Sequence, residues 1–157
     1  MKRGPICETS KAAACLCLLV AAAWLSAACT KNARAPVTES NMPAIKINIE
    51  GKDFTAVLAD TQAAAEFSKC LPLTLQMNEL NGNEKYAELP GKLPTASSCP
   101  RRINCGELML YGNSTLVLFY ESFPTPYSYT RIGRIDDVAG LKEKLGRGSV
   151  TVIIENK

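Results

Sequence analysis

Tyr127, Tyr129 and Arg131 are spaced two residues apart, so on an extended strand their side chains share one face. Two phenol rings and a guanidinium in line can hold a ligand by stacking, cation–π contact and a paired clamp on a carboxylate. The same residues also suit a plain barrel wall, with half-buried tyrosines and an arginine paired to a neighbouring acid. Glu79, Glu84 and Glu121 are the nearest approach to a carboxylate cluster. Brought close to Arg131, Glu79 and Glu121 would floor a polar pocket or form a structural ion pair. Flanking the Asn81-Gly82 turn, Glu79 and Glu84 otherwise read as solvated acids. Glu121 stands just before Phe123-Pro124-Thr125-Pro126 and is the better functional candidate. With Tyr86, on the strand that leaves the Asn-Gly turn, the candidate ligand groove comprises Glu79, Tyr86, Glu121, Tyr127, Tyr129 and Arg131.

Other chemistry is narrowed by what the chain lacks. It has no histidine, which removes the Ser-His-Asp and Cys-His mechanisms, the commonest zinc ligand and the usual base near neutral pH. There is no glycine-rich phosphate loop. No catalytic residue, metal or cofactor is therefore expected. Of seven cysteines, Cys99 and Cys105 flank the shortest loop among the last three and are a candidate disulfide outside the cytoplasm. Reduced thiols are the alternative, with Cys70 on a buried helix face. Arg101 and Arg102, inside that loop, suit phosphate headgroups or simple solvation.

The elements that must position these groups are legible in the spacing. Ile45, Ile47 and Ile49 alternate with polar residues, then Phe54, Ala56 and Leu58 alternate after Glu50-Gly51-Lys52-Asp53, which predicts a hairpin. Asp60 is placed to cap a helix over residues 61–71, stopped by Pro72. Leu73, Leu75 and Met77 begin a strand, Asn81-Gly82 is a strong hairpin signal, and the chain returns through Lys85 and Tyr86. Strands are expected over residues 103–111, 115–120 and 127–135. Asp136-Asp137 should start a short helix over residues 138–145, and Val150, Val152 and Ile154 mark the last strand. The count is about eight strands and two short helices, an all-β chain that favours a small closed barrel or a sandwich.

This folded part is expected over residues 44–157. Before it, Lys2, Arg3 and Lys11 precede residues 12–28, which carry no charge, and small residues follow as Ser26-Ala27-Ala28. That order describes an export signal over residues 1–28. A retained anchor is the competing reading, although the run is short against the roughly 20 residues needed to span a bilayer. Leu25-Ser26-Ala27-Ala28-Cys29 resembles the processing site of bacterial lipoproteins. The resemblance implies lipid on Cys29, a tether over residues 29–43, and an exported protein held on the membrane of the cell envelope. Ordinary cleavage after Ala28 is the alternative. Loss of residues 1–28 removes Lys2, Arg3, Lys11 and Glu8, which brings the net charge of +3 down by two. Such a balance gives no footprint for nucleic acid.

The segments NELNGNEKYAELP, GELMLYG, LVLFYESF and YSYTRIGRIDD, in this order, are similar to a bacterial family of cyclophilin-like domains. The resemblance covers roughly residues 44–155, nearly all of the expected mature protein, and implies an eight-stranded cyclophilin-like β-barrel with a helix at each end. Cyclophilins proper isomerise X-Pro bonds with an arginine, often in a Phe-His-Arg motif. This chain has no such motif, so the resemblance implies a fold rather than a reaction. The function expected is a non-catalytic module for a peptide, protein or small-molecule ligand. The alternatives are a weak peptidyl-prolyl isomerase, using Arg131 or Arg102, and a scaffold partner of another envelope protein.

Overall fold

Alternating burial closes this chain into a barrel. The computed structural model describes residues 43–157; the expected signal, the expected lipidation at Cys29 and nearly all of the expected tether lie outside the described residues. In β1 (Ala44–Ile49) and β2 (Lys52–Leu58), Ile45, Ile47, Ile49, Phe54, Ala56 and Leu58 all point inward. Glu50 and Gly51 join the strands with positive φ at both residues, which matches the twist of a tight hairpin. Helix α1 (Gln62–Lys69) follows, and β3 (Leu73–Leu80) and β4 (Glu84–Glu88) form the second hairpin. Asn81 and Gly82 both take positive φ there, as the dipeptide predicts.

The rest of the chain comprises β5 (Arg102–Ile103), β6 (Glu107–Tyr111), β7 (Thr115–Phe119), β8 (Phe123–Pro124), β9 (Thr130–Ile135), helix α2 (Leu141–Leu145) and β10 (Val150–Asn156). Eight strands close in the order β1-β10-β3-β4-β7-β6-β9-β2, every neighbouring pair antiparallel. Closure removes the free sheet edges that would otherwise invite aggregation. Alternate residues fill the interior, among them Leu75, Met77, Leu108, Leu110, Leu116, Leu118, Val152 and Ile154. Helix α1 packs Ala63, Ala64 and Phe67 on one end of this core, following the inner end of β2. Helix α2 brings Leu141 and Leu145 to the other, beside the Glu50 turn. The expected fold class is the one observed.

Several boundaries differ from expectation, each for a local reason. Thr61, not Asp60, caps α1, its hydroxyl accepting the Ala64 N–H at 3.1 Å. The stretch expected as one strand over residues 103–111 is broken at Gly106, whose positive φ turns the chain. Its first part pairs instead with β8 in a two-stranded ribbon outside the barrel. Helix α2 starts only at Leu141, after Gly140 at φ 77°; Asp137 instead accepts the Ala139 N–H at 2.9 Å in the turn before it. Strand β9 carries a bulge, since Leu108 lies opposite Gly133 while Met109 lies opposite Arg131. A Cβ on Gly133 would stand 2.6 Å from the Val57 carbonyl oxygen, so the approach of β2 to β9 that completes the barrel requires glycine.

Candidate functional site: an aromatic wall and a polar mouth

Period two sends neighbouring residues of β4, β6 and β7 to opposite sides of the barrel wall. Lys85, Ala87, Leu108, Leu110, Leu116, Leu118 and Tyr120 go in. Glu84, Tyr86, Glu107, Met109, Tyr111, Val117 and Phe119 go out. The outward set is not simply solvated. Ile103, Met109, Val117, Phe119 and Tyr129 form a second, separate buried cluster, against which Tyr86, Tyr111 and Phe123 pack. The ribbon of β5 and β8 supplies Ile103 and Phe123 to this cluster.

The rings are mutually oriented. Tyr129 meets Phe119 edge-on at 5.5 Å between centroids and Tyr111 at 5.7 Å. Phe119 lies 5.7 Å from Phe123, and Tyr111 meets Tyr127 edge-on at 6.4 Å. Such pairs add about 0.5–1.5 kcal/mol each beyond burial. Tyr127 is 40% exposed at the end of the row. On the β9 side Arg131, largely exposed, approaches the Glu107 carboxylate at 3.4 Å, and Glu107 also accepts the Asn104 N–H at 2.9 Å.

Glu84 sits at the other side of this wall, directly across from Phe119. It is 8% exposed. Burial, reinforced by the nearby Glu79 charge, pushes its carboxyl up to about 7. Tyr129 is pushed up to about 12, chiefly by burial and then by the Glu84 charge. The second effect places Glu84 within electrostatic reach of the aromatic cluster.

The inward set makes a different environment at the α2 end. Lys85 is fully buried, and its ammonium donates to the Gly146 carbonyl at 3.0 Å and the Gly148 carbonyl at 2.6 Å. It also pairs with Glu79 at 2.5 Å. The other Glu79 oxygen accepts from the Tyr120 hydroxyl at 2.7 Å and the Gly82 N–H at 2.9 Å. Burial alone would raise the Glu79 carboxyl, but the Lys85 ammonium, the Tyr120 hydroxyl and Gly82 together hold it below the usual carboxylate range. A cleft of about 660 Å³ opens above this network, lined by Glu79, Gly82, Tyr120, Lys142, Glu143, Gly146 and Arg147. Glu121 pairs with Lys142 at its rim.

The expected groove is therefore divided between two places. Tyr86, Tyr127, Tyr129 and Arg131 do come together, on the outer wall. Glu79 and Glu121 do not join them: Glu79 points through the barrel end to Lys85, and Glu121 is held by Lys142 at the mouth. The Asn81 hairpin borders the mouth, where Gly82 lines the cleft, rather than the groove. Glu84, read from sequence as a solvated turn acid, is buried on the wall. The expected Cys99–Cys105 bridge is not formed. Cys70, Cys99 and Cys105 are free, and the Cys105 thiol is turned toward the Tyr120 carbonyl, 3.2 Å away. Spacing did not single out Lys85, Tyr111, Phe119 or Tyr120, although alternation from Tyr86 back to Glu84 was a usable signal for that acid.

Comparison with known proteins agrees with this architecture. Residues 47–155 match the family model described as the cyclophilin-like family. No curated protein matches. Among solved structures, the solution structure of hypothetical protein AF2241 from Archaeoglobus fulgidus is similar at a TM-score of 0.55 and 16% identity, over 74% of this chain and 95% of that one. The structure of McbB in complex with tryptophan is similar at a TM-score of 0.58 and 14% identity, over 72% of this chain and 44% of that one. At such identities the likeness is one of fold. With a matching family model across nearly all of the described barrel, this chain belongs to the cyclophilin-like family.

Proposed function

We propose that this chain is an exported, lipid-anchored protein of the cell envelope whose barrel binds a peptide segment or small molecule without catalysing a reaction. The observation that carries the binding reading is the placement of the rings. The barrel interior is packed mainly with apolar side chains, among them Phe54, Leu75, Leu110 and Leu118. The outer wall gathers Tyr86, Tyr111, Phe119, Phe123, Tyr127 and Tyr129 outside the barrel interior, with Phe119 and Tyr129 buried, Tyr86, Tyr111 and Phe123 partly buried and Tyr127 exposed. Aromatic rings beside a few polar groups are the common make-up of a recognition surface. Arg131 and Glu107 at its border supply one donor and one acceptor for orientation. The membrane location rests on the Cys29 sequence context alone.

A ligand screen by NMR on the purified full chain tests the reading, with Tyr127→Ala and Arg131→Ala alongside. The expected result is a ligand whose shifts map to the wall and whose affinity falls at least tenfold in one variant while both stay folded. Ligands that bind both variants as tightly as the parent would end the assignment of this face. Acceleration of prolyl isomerisation by the parent chain, lost in Arg131→Ala, would replace the non-catalytic reading with an isomerase.

A further inference from the structure

Glu84 is more than nine-tenths buried and makes no side-chain hydrogen bond and no ion pair among the described residues. A largely buried residue whose carboxyl group has no protein partner is costly to ionise, so its presence on a recognition surface calls for an account. Its surroundings are acidic and aromatic. Phe119 lies across from it on β7, Tyr86 is next on the same face of β4, and Tyr129 lies within reach of its charge. One residue beyond the paired positions Leu108 and Leu118, Glu107 flanks Phe119 on the far side. Arg131 is engaged with Glu107 and Arg134 stands opposite Glu107, both on β9, beyond Phe119 from Glu84, and Lys85, on the opposite face of β4, is engaged with Glu79. Around Glu84 the outer faces of β4 and β7 therefore offer a carboxyl group and ring faces but no cationic side chain.

We propose that the part of the aromatic wall around Glu84 takes an organic cation, an alkylammonium or guanidinium group, carried either on a basic peptide side chain or on a free amine. A cation within about 6 Å of a ring centroid is attracted by the ring face, and more strongly once desolvated. The Glu84 carboxylate supplies the counter-charge that the wall itself does not neutralise. This rests on the reading of the wall as a binding face and names the chemistry of its ligand. Binding should also respond to pH. The titratable groups that feel or set the Glu84 charge are Glu79 on β3 and Tyr120 just after β7, both across the barrel wall, and Tyr129 beside β9. Of these, only Glu79 is charged near neutrality, and it disfavours ionisation of Glu84.

The test is an NMR titration of the full chain at pH 6 and pH 8 with three probes. These are Nα-acetyl-lysine methylamide, n-butylamine and the uncharged Nα-acetyl-norleucine methylamide. The charged probes should shift the Tyr86, Phe119 and Tyr129 resonances, about tenfold more tightly at pH 8 than at pH 6 for a group titrating near 7. Glu84→Gln should abolish both the binding and its pH dependence; the pH series on the parent chain stands even if that variant folds poorly. A lysine probe tighter than butylamine would identify a peptide as the source of the cation, and the reverse a free amine. Equal binding of the norleucine probe, unaffected by pH or by Glu84→Gln, would overturn the cation site and leave the wall as a binding face. No shift with any probe would overturn the cation site and count against the wall as well.

Discussion

Glu79 and Glu84 stand five residues apart on one hairpin, and the barrel wall passes between them. Glu79 faces the mouth and meets Lys85, Tyr120 and Gly82, so its charge is satisfied and its carboxyl is held below the usual range. Glu84 faces the aromatic wall, meets no counter-charge, and is pushed up to about 7. The same side chain thus does opposite work on opposite sides of one sheet. At the mouth, polar groups fasten β3, β4, β7 and the segment before β10 to one another. On the wall, an acid is kept unsatisfied among rings. A satisfied network reads as structure and an unsatisfied one as a place for something else.

The comparison can be broken most forcefully at the mouth. Lys85→Met should cost about 3–5 kcal/mol, because it leaves Glu79 without its counter-charge and two carbonyls without their donor. A urea unfolding midpoint measures this, and a near-neutral result would mean that the network does not fasten the barrel. On the wall the sign reverses. The native chain holds the Glu84 proton between about pH 4.5 and 7, where the unfolded chain has lost it. Stability contributed by this residue therefore falls as pH rises through that window. Glu84→Gln should gain about 2 kcal/mol at pH 8 and close to nothing at pH 4, by urea unfolding at the two values. Glu79 acts in the other direction, its contribution being present above about pH 4.5 and lost as pH falls through its lowered value.

Smaller effects sharpen the assignment. Tyr127→Ala, at 40% exposure, should cost about 0.5–1.5 kcal/mol, the worth of its edge-on contact with Tyr111, while weakening ligand binding. Arg131→Ala breaks a long, exposed ion pair and should cost about 0–1 kcal/mol. Cys29→Ser should leave the barrel's unfolding unchanged and move the protein out of the membrane fraction, which tests the proposed anchor directly.

Much of the barrel was legible because a half-buried strand writes its period into the chain. Ile45-Ile47-Ile49 and Leu73-Leu75-Met77 each declare one inward face, and Glu50-Gly51 and Asn81-Gly82 declare their turns. The ribbon of β5 and β8 was not legible, because two-residue strands carry no period and Gly106 breaks what reads as one run. The site was half legible. The Tyr127, Tyr129 and Arg131 spacing did put those residues on one wall. Glu79 and Glu121 are acids that could pair with Arg131 if brought close, but the alternation that sends Phe119 out and Tyr120 in carries their partners to the mouth. Lys85 inside the barrel runs against hydropathy altogether, and only the Gly146 and Gly148 carbonyls and Glu79 explain it.

The most direct measurement is a pH titration of the glutamate side-chain carboxyl carbons by NMR, with Glu79 and Glu84 assigned in the same spectra. The expected outcome is a Glu84 midpoint near 7 and a Glu79 midpoint below the ordinary carboxylate range. Two carboxyls titrating together near 4.5 would contradict the account, since the wall would then hold no unpaired buried acid and the mouth no paired one.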